Sequence, residues 1–380
     1  MKHLKFISYV FFTLLFIFTF THCTKKEDKN IIKIGEYGSL TGSEATFGTS
    51  THNGIMLAID DFNSKGGLNG KKIKVITVDD QGKPEEAASA VTKLITSDKV
   101  VALLGEVASS RSLAGAPISQ RYKIPMVTPS STNPKVTQVG DYIFRTCFID
   151  PFQGQVMANF ATRTLKAKKV AVLRDVKSDY SVGLAEFFTK TFESNGGKVI
   201  TDLSYTAGDI DFKAQLTAIR SKNVDAIFVP GYYTEVGLIA RQAKELGIKV
   251  PLLGGDGWDS ERLTEIAGTA LDNSFFSNHY TSESKDPRVI DFVEKYKKIY
   301  GSVPDGLAAM GYDAALVLID ALKRTPNQTP KEIRDALAET KNFQAVTGII
   351  SFNENRDAEK AAVVLEVKNK QFKFVETVNP

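Results

Sequence analysis

Segments with the periodicity of strands and of helices alternate along most of this 380-residue chain. The segment 49–64 is typical of a helix, because Ile55, Ile59 and Phe62 fall on one helical face. Strand-like runs surround it and continue beyond it, at 31–37, 71–79, 100–105 and 124–128, with helix-like runs at 85–97 and 109–121. Repeated strand–helix–strand units predict parallel sheets covered by helices on both faces.

The same alternation starts again after Asp150-Pro151. Strand-like runs follow at 169–174, 198–205, 226–230 and 250–253, with helix-like runs at 180–194, 212–221 and 235–246. Three longer helices are predicted at 287–300, 306–323 and 330–340, and short strands at 349–352, 362–367 and 372–376. A chain of this length is more than one hydrophobic core usually serves, and no long Pro-, Gly- or Ser-rich linker divides it. The sequence therefore predicts two doubly wound α/β lobes joined by short hinge segments.

Three polar loops follow predicted strands and are the main candidates for a binding site. The loops contain Ser109 and Ser110, then Ser130, Ser131 and Thr132, and finally Asp256 among glycines. Ligands of open α/β sheets bind beyond the carboxyl ends of strands, where all three loops lie. Hydroxyls and helix N-terminal N–H groups suit a carboxylate, and an acid suits an ammonium group. Each loop taken alone is also typical of an ordinary helix cap or Asx turn.

Aromatic residues stand beside these loops. Tyr180 and Tyr232 each come just after a predicted strand of the second half, where a tyrosine offers both an apolar face and a polar tip. Trp258, the only tryptophan, ends the third loop. Each of these side chains could serve packing as well as recognition.

The sequence gives little support for a metal, cofactor or nucleic-acid binding site. No Cys/His cluster has metal-binding spacing, so no metal is expected. The chain has no P-loop, no nucleophile elbow and no dinucleotide-binding glycine motif after its first strand, so no cofactor is expected either. A net charge of +4 is too small to indicate nucleic-acid binding. Cys147 lies in a strand-like run and is interpreted as a small buried residue.

The N-terminus is typical of an export signal. Lys2 and Lys5 precede an apolar run at 6–20, and Cys23 follows, where a lipoprotein would carry its acylated cysteine. We expect a lipoprotein-type signal peptide at 1–22 and a hydrophilic tether at 23–30. An uncleaved N-terminal anchor is the alternative to an export signal. The match to a lipobox is imperfect, because His22 is bulky where a small residue is usual.

Several motifs, in this order, resemble the type I periplasmic binding proteins of the leucine/isoleucine/valine-binding family. They are Ile34-Gly35, Leu40-Thr41-Gly42, the Gly66-Gly67-x-x-Gly70 turn, Asp79-Asp80, 105–110, 128–132, Phe144-Arg145-Thr146 and 254–260. The resemblance covers about residues 31–380. It implies an N-lobe of 31–150 plus 280–362 and a C-lobe of 151–279 plus 363–380, which three crossovers join and which close over a ligand.

The resemblance also implies roles for individual residues. Ser109, Ser130 and Thr132 would hold a ligand carboxylate, with the neighbouring Ser110 and Ser131 in the same loops. Asp256 would hold the ammonium group, and Tyr180 and Tyr232 would be pocket residues of the C-lobe. Phe47 stands where relatives often have tyrosine. Glu106 and Trp258 would lie near the ligand side chain and influence specificity.

The expected function is therefore binding of an amino acid, branched-chain or otherwise neutral, for delivery to the membrane permease of an ABC importer. The protein would be a monomer, located outside the cytoplasm and attached to the membrane by a lipid anchor. A sensory protein with the same fold is the first alternative, since it would share every pocket residue. A hydrolase using Ser109 or Ser130 is a weaker alternative, because no histidine lies in a matching motif.

Overall fold

The computed structural model describes residues 30–380. The predicted signal segment 1–22 and the lipidation candidate Cys23 lie outside the described residues. Within the described part of the chain, no helix is both long and apolar enough to cross a membrane.

Residues 31–145 contribute one half of the fold. Its elements are β1 (Ile31–Gly38), α1 (Ala45–Ser64), β2 (Lys72–Asp79), α2 (Pro84–Thr96), β3 (Ala102–Leu104), α3 (Ser109–Tyr122), β4 (Met126–Thr128), α4 (Lys135–Gln138) and β5 (Ile143–Arg145). The five strands form a parallel sheet in the order β2-β1-β3-β4-β5. This order is that of a doubly wound sheet, which changes winding direction beside β1 and β3.

A second run of elements builds the other half. It contains α5 (Asp150–Asn159), β6 (Lys169–Asp175), α6 (Asp179–Ser194), β7 (Lys198–Tyr205), α7 (Lys213–Arg220), β8 (Ala226–Phe228), α8 (Tyr233–Glu245), β9 (Leu252–Gly254), α9 (Glu261–Ala267) and β10 (Ser274–Asn278). The chain ends with α10 (Pro287–Tyr300), α11 (Gly306–Lys323), α12 (Pro330–Ala338), β11 (Phe343–Ala345), β12 (Gly348–Ile350), β13 (Ala362–Lys368) and β14 (Gln371–Val378).

The final elements are shared between the two halves. Strands β13 and β14 join the second sheet, whose order is β14-β13-β10-β9-β8-β6-β7. Helices α10, α11 and α12 pack with α1 on one face of the first sheet. The N-lobe therefore consists of the first sheet with α1–α4, α10–α12 and the β11–β12 hairpin, and the C-lobe of the second sheet with α5–α9. The chain crosses between the lobes after β5, after β10 and before β13.

The central strands of each sheet are buried on both faces, which explains their apolar sequences. In the N-lobe, α2 and α3 cover the face opposite α1 and α11. In the C-lobe, α7, α8 and α9 cover one face while α5 and α6 cover the other. These two helix-covered sheets confirm the predicted fold class.

The structure adds elements that the periodicity did not predict. The strand predicted around Cys147 is shorter in the structure. Strand β5 ends at Arg145, so Cys147 lies just after it, where the chain leaves the N-lobe to begin α5. Strand β10 also went unpredicted, although it pairs with both β9 and β13 in the interior of the second sheet. Strand β13 begins at Ala362, one residue before the predicted return to the C-lobe.

Candidate functional site

The loops after β3 and β4 of the N-lobe face the loop after β9 of the C-lobe. They converge on a narrow cavity of about 10 Å³ between the lobes. Its wall is formed by Phe47, Val107, Ser109, Ser130 and Leu307 of the N-lobe and by Tyr180, Tyr232, Asp256 and Gly257 of the C-lobe. The carboxyl ends of strands from both sheets thus meet at this cavity, as expected for α/β proteins.

The N-lobe side of the cavity is suited to an anion. Helix α3 begins at Ser109, and its N-cap residue, Ala108, makes no side-chain capping bond. The first-turn N–H groups of a helix have no partner within the helix, and the helix dipole favours negative charge there. Ser109 and Ser130 add two buried hydroxyls to this end of the cavity.

The C-lobe side carries a buried acid. Asp256 lies in a 3-10 turn after β9, and its backbone N–H donates to Gln153 Oε1 at 2.8 Å. Its Oδ2 lies 3.0 Å from His279 Nε2 and 3.5 Å from Ser130 Oγ. Its Oδ1 is buried and has no hydrogen-bond partner among residues 30–380. An unpaired, buried carboxylate oxygen in a cavity is suited to a cationic ligand group.

Aromatic rings form much of the remaining wall. Phe47 packs edge-on against Tyr232 and Tyr233, with ring centroids 5.7 Å and 4.9 Å away. Tyr180 stacks on Tyr232 at 5.3 Å, and its hydroxyl accepts a hydrogen bond from the Gly257 N–H at 3.1 Å. Burial raises the pKa of both Tyr180 and Tyr232 well above the usual tyrosine value, so both are neutral. With Val107 and Leu307, these rings suit an apolar side chain.

The two lobes touch directly at the rim of the cavity. The Ser110 hydroxyl donates to Asp179 Oδ2 and accepts from the Asp179 backbone N–H, both at 2.9 Å. Asn133 Nδ2 donates to the Asp179 carbonyl at 2.8 Å, and Thr46 Oγ1 lies 2.9 Å from Ser260 Oγ. The structure is therefore a closed conformation, and Ser110 lies at the lobe–lobe contact instead of in the cavity wall.

Ser131 and Thr132, which were also predicted as site residues, are buried but do not line the cavity. The Ser131 hydroxyl is 2.7 Å from Ser112 Oγ and within bonding distance of the Glu106 and Val107 carbonyls, so it ties the second loop to the first. Thr132 is buried, and its carbonyl accepts a hydrogen bond from the Asp150 N–H at 2.9 Å, whereas its Oγ1 has no hydrogen-bond partner among residues 30–380. Burial raises the pKa of Asp150 to about 8.

Glu106 and Trp258 do not line the cavity, in contrast to the expectation that they lie near the ligand side chain. Glu106 is buried, where its Oε2 lies 3.0 Å from Arg111 Nε and its Oε1 accepts from Ser39 Oγ at 3.1 Å. Trp258 is fully buried in the C-lobe core, where its indole N–H donates to the Val229 carbonyl at 3.0 Å. Internal partners therefore account for the polar groups of both side chains.

The polar groups do not have the arrangement of a serine hydrolase. In a catalytic triad the imidazole lies between the hydroxyl and the carboxylate. Here the Asp256 carboxylate lies between Ser130 and His279. Among the described residues, no group of three or more His, Cys, Asp or Glu side chains is placed to hold a metal ion.

Three site residues were not predicted from the sequence. Val107 and Leu307 are ordinary apolar residues whose place in the wall depends on how β3 and α11 are packed. His279 follows β10, a strand that the periodicity did not indicate. Because that strand was not predicted, no signal in the sequence indicated that His279 would lie beside Asp256.

Comparison with known proteins identifies the family of this chain. Residues 31–371 match the family model described as periplasmic binding protein. The leucine-, isoleucine-, valine-, threonine- and alanine-binding protein of Pseudomonas aeruginosa is 31% identical over 86% of this chain and 87% of its own length. The leucine-specific-binding protein of Salmonella typhimurium is 28% identical over 86% of this chain and 88% of its own length.

Solved structures are similar over nearly the whole described chain. The leucine binding protein LivK of Thermotoga maritima superposes with a TM-score of 0.88 and 43% identity, covering 92% of this chain and 99% of that one. The substrate binding protein LivJ of Streptococcus pneumoniae, solved with isoleucine, has a TM-score of 0.88 and 35% identity, covering 92% and 100%. The chain therefore belongs to the periplasmic binding protein family, and it is a binding protein and not an enzyme.

Proposed function

We propose that this protein is the extracytoplasmic solute-binding component of an ABC importer and that it binds a neutral, branched-chain amino acid between its lobes. The observation that carries the proposal is Asp256, which lines a cavity closed by both lobes and whose buried Oδ1 has no hydrogen-bond partner among residues 30–380. The names of the relatives from Pseudomonas aeruginosa and Streptococcus pneumoniae support the same ligand class.

In the proposed complex each end of the ligand has its own partners. The ligand carboxylate binds at the first turn of α3 with Ser109 and Ser130, and its ammonium group binds Asp256. Its aliphatic side chain packs against Phe47, Leu307 and the neighbouring rings. Because the closed cavity excludes water, these charge-assisted hydrogen bonds are stronger than they would be at an exposed site.

Both lobes contribute to the proposed site, so only the closed form binds well. A ligand that makes contacts only in this form shifts the population toward it. We propose the lobe division 31–150 plus 280–362 against 151–279 plus 363–380, which the two separate sheets support. The permease subunits of the importer would then recognise the closed form.

The test is a thermal-unfolding screen of the purified protein against the common amino acids, followed by calorimetry. A ligand that binds only the folded state raises the unfolding temperature by mass action. We expect the largest rise with leucine, isoleucine or valine, and none with their deaminated acids, which lack the ammonium group. A rise with no amino acid would refute the proposed ligand class.

The attachment to the membrane is a separate part of the proposal. Residues 1–22 act as a lipoprotein-type signal, Cys23 carries the lipid, and 23–30 form the tether. The proposal rests on the sequence pattern and on the extracytoplasmic location typical of the family. Cys23→Ser should move the protein from the membrane fraction to the soluble one, and a variant still found with membranes would exclude the lipid anchor.

A further inference from the structure

His279 lies where the binding cavity meets a hinge segment. Strands β9 and β10 are parallel neighbours, so the residues that follow them meet at one edge of the sheet. Asp256 follows β9, and His279 is the first residue after β10, at the start of the second crossover. The His279 side chain is 1% exposed, and its Nε2 is 3.0 Å from Asp256 Oδ2.

The imidazole is held in a defined orientation. Its ring packs on Phe148, a residue of the first crossover, with centroids 3.7 Å apart and an angle of 30°. Its backbone N–H donates to Asn278 Oδ1 at 2.8 Å. A ring fixed from two crossovers has little freedom to move away from the carboxylate beside it.

The hydrogen-bond partners determine which nitrogen carries the proton. Nε2 faces a carboxylate, which accepts a hydrogen bond, whereas the buried Nδ1 has no partner among residues 30–380. The tautomer that carries its proton on Nε2, with Nδ1 unprotonated, therefore satisfies this environment best. Burial lowers the pKa of His279, against the opposing effect of Asp256, which agrees with a neutral ring.

The result is an acid held at two points. Gln153 accepts the Asp256 backbone N–H, and His279 donates to Oδ2, which leaves Oδ1 for the ligand. Because the imidazole is neutral, the pair keeps the single negative charge that one ammonium group requires. A protonated histidine would instead cancel this charge.

We propose that His279 is a positioning residue for ligand recognition, which orients the Asp256 carboxylate toward the ligand ammonium group and connects it to the hinge. This inference rests on the proposed function of the cavity. It requires that His279 act through Asp256 and not merely stabilise the fold.

The test uses the full-length chain, purified in detergent, with isoleucine as the probe in calorimetry. His279→Leu should weaken binding by about 10- to 100-fold, the loss expected for one hydrogen bond to a charged group. His279→Gln, whose side-chain amide can donate from a similar position, should recover most of the affinity. His52→Gln is the matched control, since His52 pairs with Glu36 on the N-lobe, and it should bind within about twofold of wild type.

A double-mutant cycle separates positioning from a structural role. In the Asp256→Ala background, His279→Leu should change affinity by less than about threefold, because the group it positions is gone. Equal losses in both backgrounds, or His279→Gln as weak as His279→Leu while its thermal unfolding is unchanged, would overturn the inference. Failure of wild type to bind leucine, isoleucine or valine would instead refute the proposed function, so the two results are distinguishable.

Discussion

At the scale of single residues, the charge of Asp256 dominates the cavity. A buried carboxylate oxygen is costly when no hydrogen-bond partner replaces its hydration, and among residues 30–380 Asp256 Oδ1 has none. A ligand ammonium group removes this cost and adds a charge-assisted hydrogen bond, which explains how a small ligand could favour closure.

Removing this charge should affect binding far more than it affects folding. Asp256→Asn keeps the size of the side chain but no longer attracts an ammonium group, so isoleucine should bind at least about 100-fold more weakly in calorimetry. Asp291→Asn is the control, because Asp291 pairs with Lys295 on the exposed face of α10. Affinity of Asp256→Asn within threefold of wild type would show that Asp256 does not bind the ammonium group.

The two histidines of the described chain should titrate in opposite directions. The hydrogen bond to Glu36 raises the pKa of His52, whereas burial lowers that of His279, near which Asp256 and Lys360 are the charged groups. His52 therefore adds stability that is complete below about pH 6.5 and is lost as the pH rises through its folded-state pKa. His279 behaves oppositely: its neutral form favours the fold above about pH 6.5, and this stability is lost as the pH falls.

Nuclear magnetic resonance of histidine-labelled protein can measure both transitions. We expect one imidazole to titrate above pH 6.5 and the other below it. His52→Gln should remove the higher transition and so assign it. His279→Leu should remove the lower transition, and if the transitions so assigned to His52 and His279 both lie at the value of a free histidine, the two environments are contradicted.

The sequence predicts which loops line the cavity, but not which residue within a loop faces it. Ser109, Ser130, Tyr180, Tyr232 and Asp256 were all predicted, because each follows a strand at the edge where ligands bind. The neighbours Ser110 and Ser131 could not be separated from them. Successive residues of a helix point about 100° apart, so the first turn of α3 turns Ser109 to the cavity and Ser110 to Asp179.

At the scale of elements, the crossing of α1 and α11 positions one side of the cavity. A Cβ added to Gly54 would lie 1.9 Å from the Ala308 carbonyl oxygen, and one added to Gly311 would lie 2.4 Å from the Thr51 oxygen. The two helices are therefore in backbone contact. Phe47, near the start of α1, and Leu307, near the start of α11, owe their places in the wall to this contact.

Widening this crossing should damage both stability and binding. Gly54→Ala forces the helices apart, so we expect the free energy of unfolding in urea to fall by at least about 2 kcal/mol. Calorimetry should also show weaker isoleucine binding, because the wall residues move. Thr49→Ala, at an exposed position of the same helix, should preserve both properties. A Gly54→Ala protein as stable as wild type would show that the crossing can relax at little cost.

The elements that could be predicted were those with a long, one-sided pattern. Helix α1 has such a pattern, whereas α5 is nearly surrounded by protein and carries Gly154, whose added Cβ would meet Phe187 at 2.8 Å. Its residues therefore lack the alternation of apolar and polar faces that indicates a surface helix. Strand β10 was missed for a related reason, because its five residues are too few to show a clear periodicity.

At the scale of the whole molecule, the property that matters is the contact between lobes. Ser43 and Thr234, or Ser110 and Asp179, are far apart in sequence and meet only in the closed form. No local pattern predicts such pairs, because each residue is an ordinary polar group of its own loop. The resemblance to binding proteins implied closure, but only the structure identifies the residues that make it.

Loosening the rim should weaken binding without changing the cavity. Ser110→Ala removes the hydroxyl that both donates to and accepts from Asp179, contacts that require closure. Isoleucine affinity should fall by about 3- to 10-fold, the loss of one or two ordinary hydrogen bonds. Ser89→Ala is the control, because the Ser89 hydroxyl donates to the Glu85 carbonyl of its own helix at 3.0 Å and not across the lobes.

Small-angle X-ray scattering shows whether this loss acts through closure. At saturating isoleucine, Ser110→Ala and wild type should have the same radius of gyration, because both are closed. At a concentration that half-saturates wild type, Ser110→Ala should scatter as a more open population, since it needs more ligand to close. An affinity loss with identical scattering at every concentration would mean that Ser110 contacts the ligand itself, and the rim would then belong to the binding site.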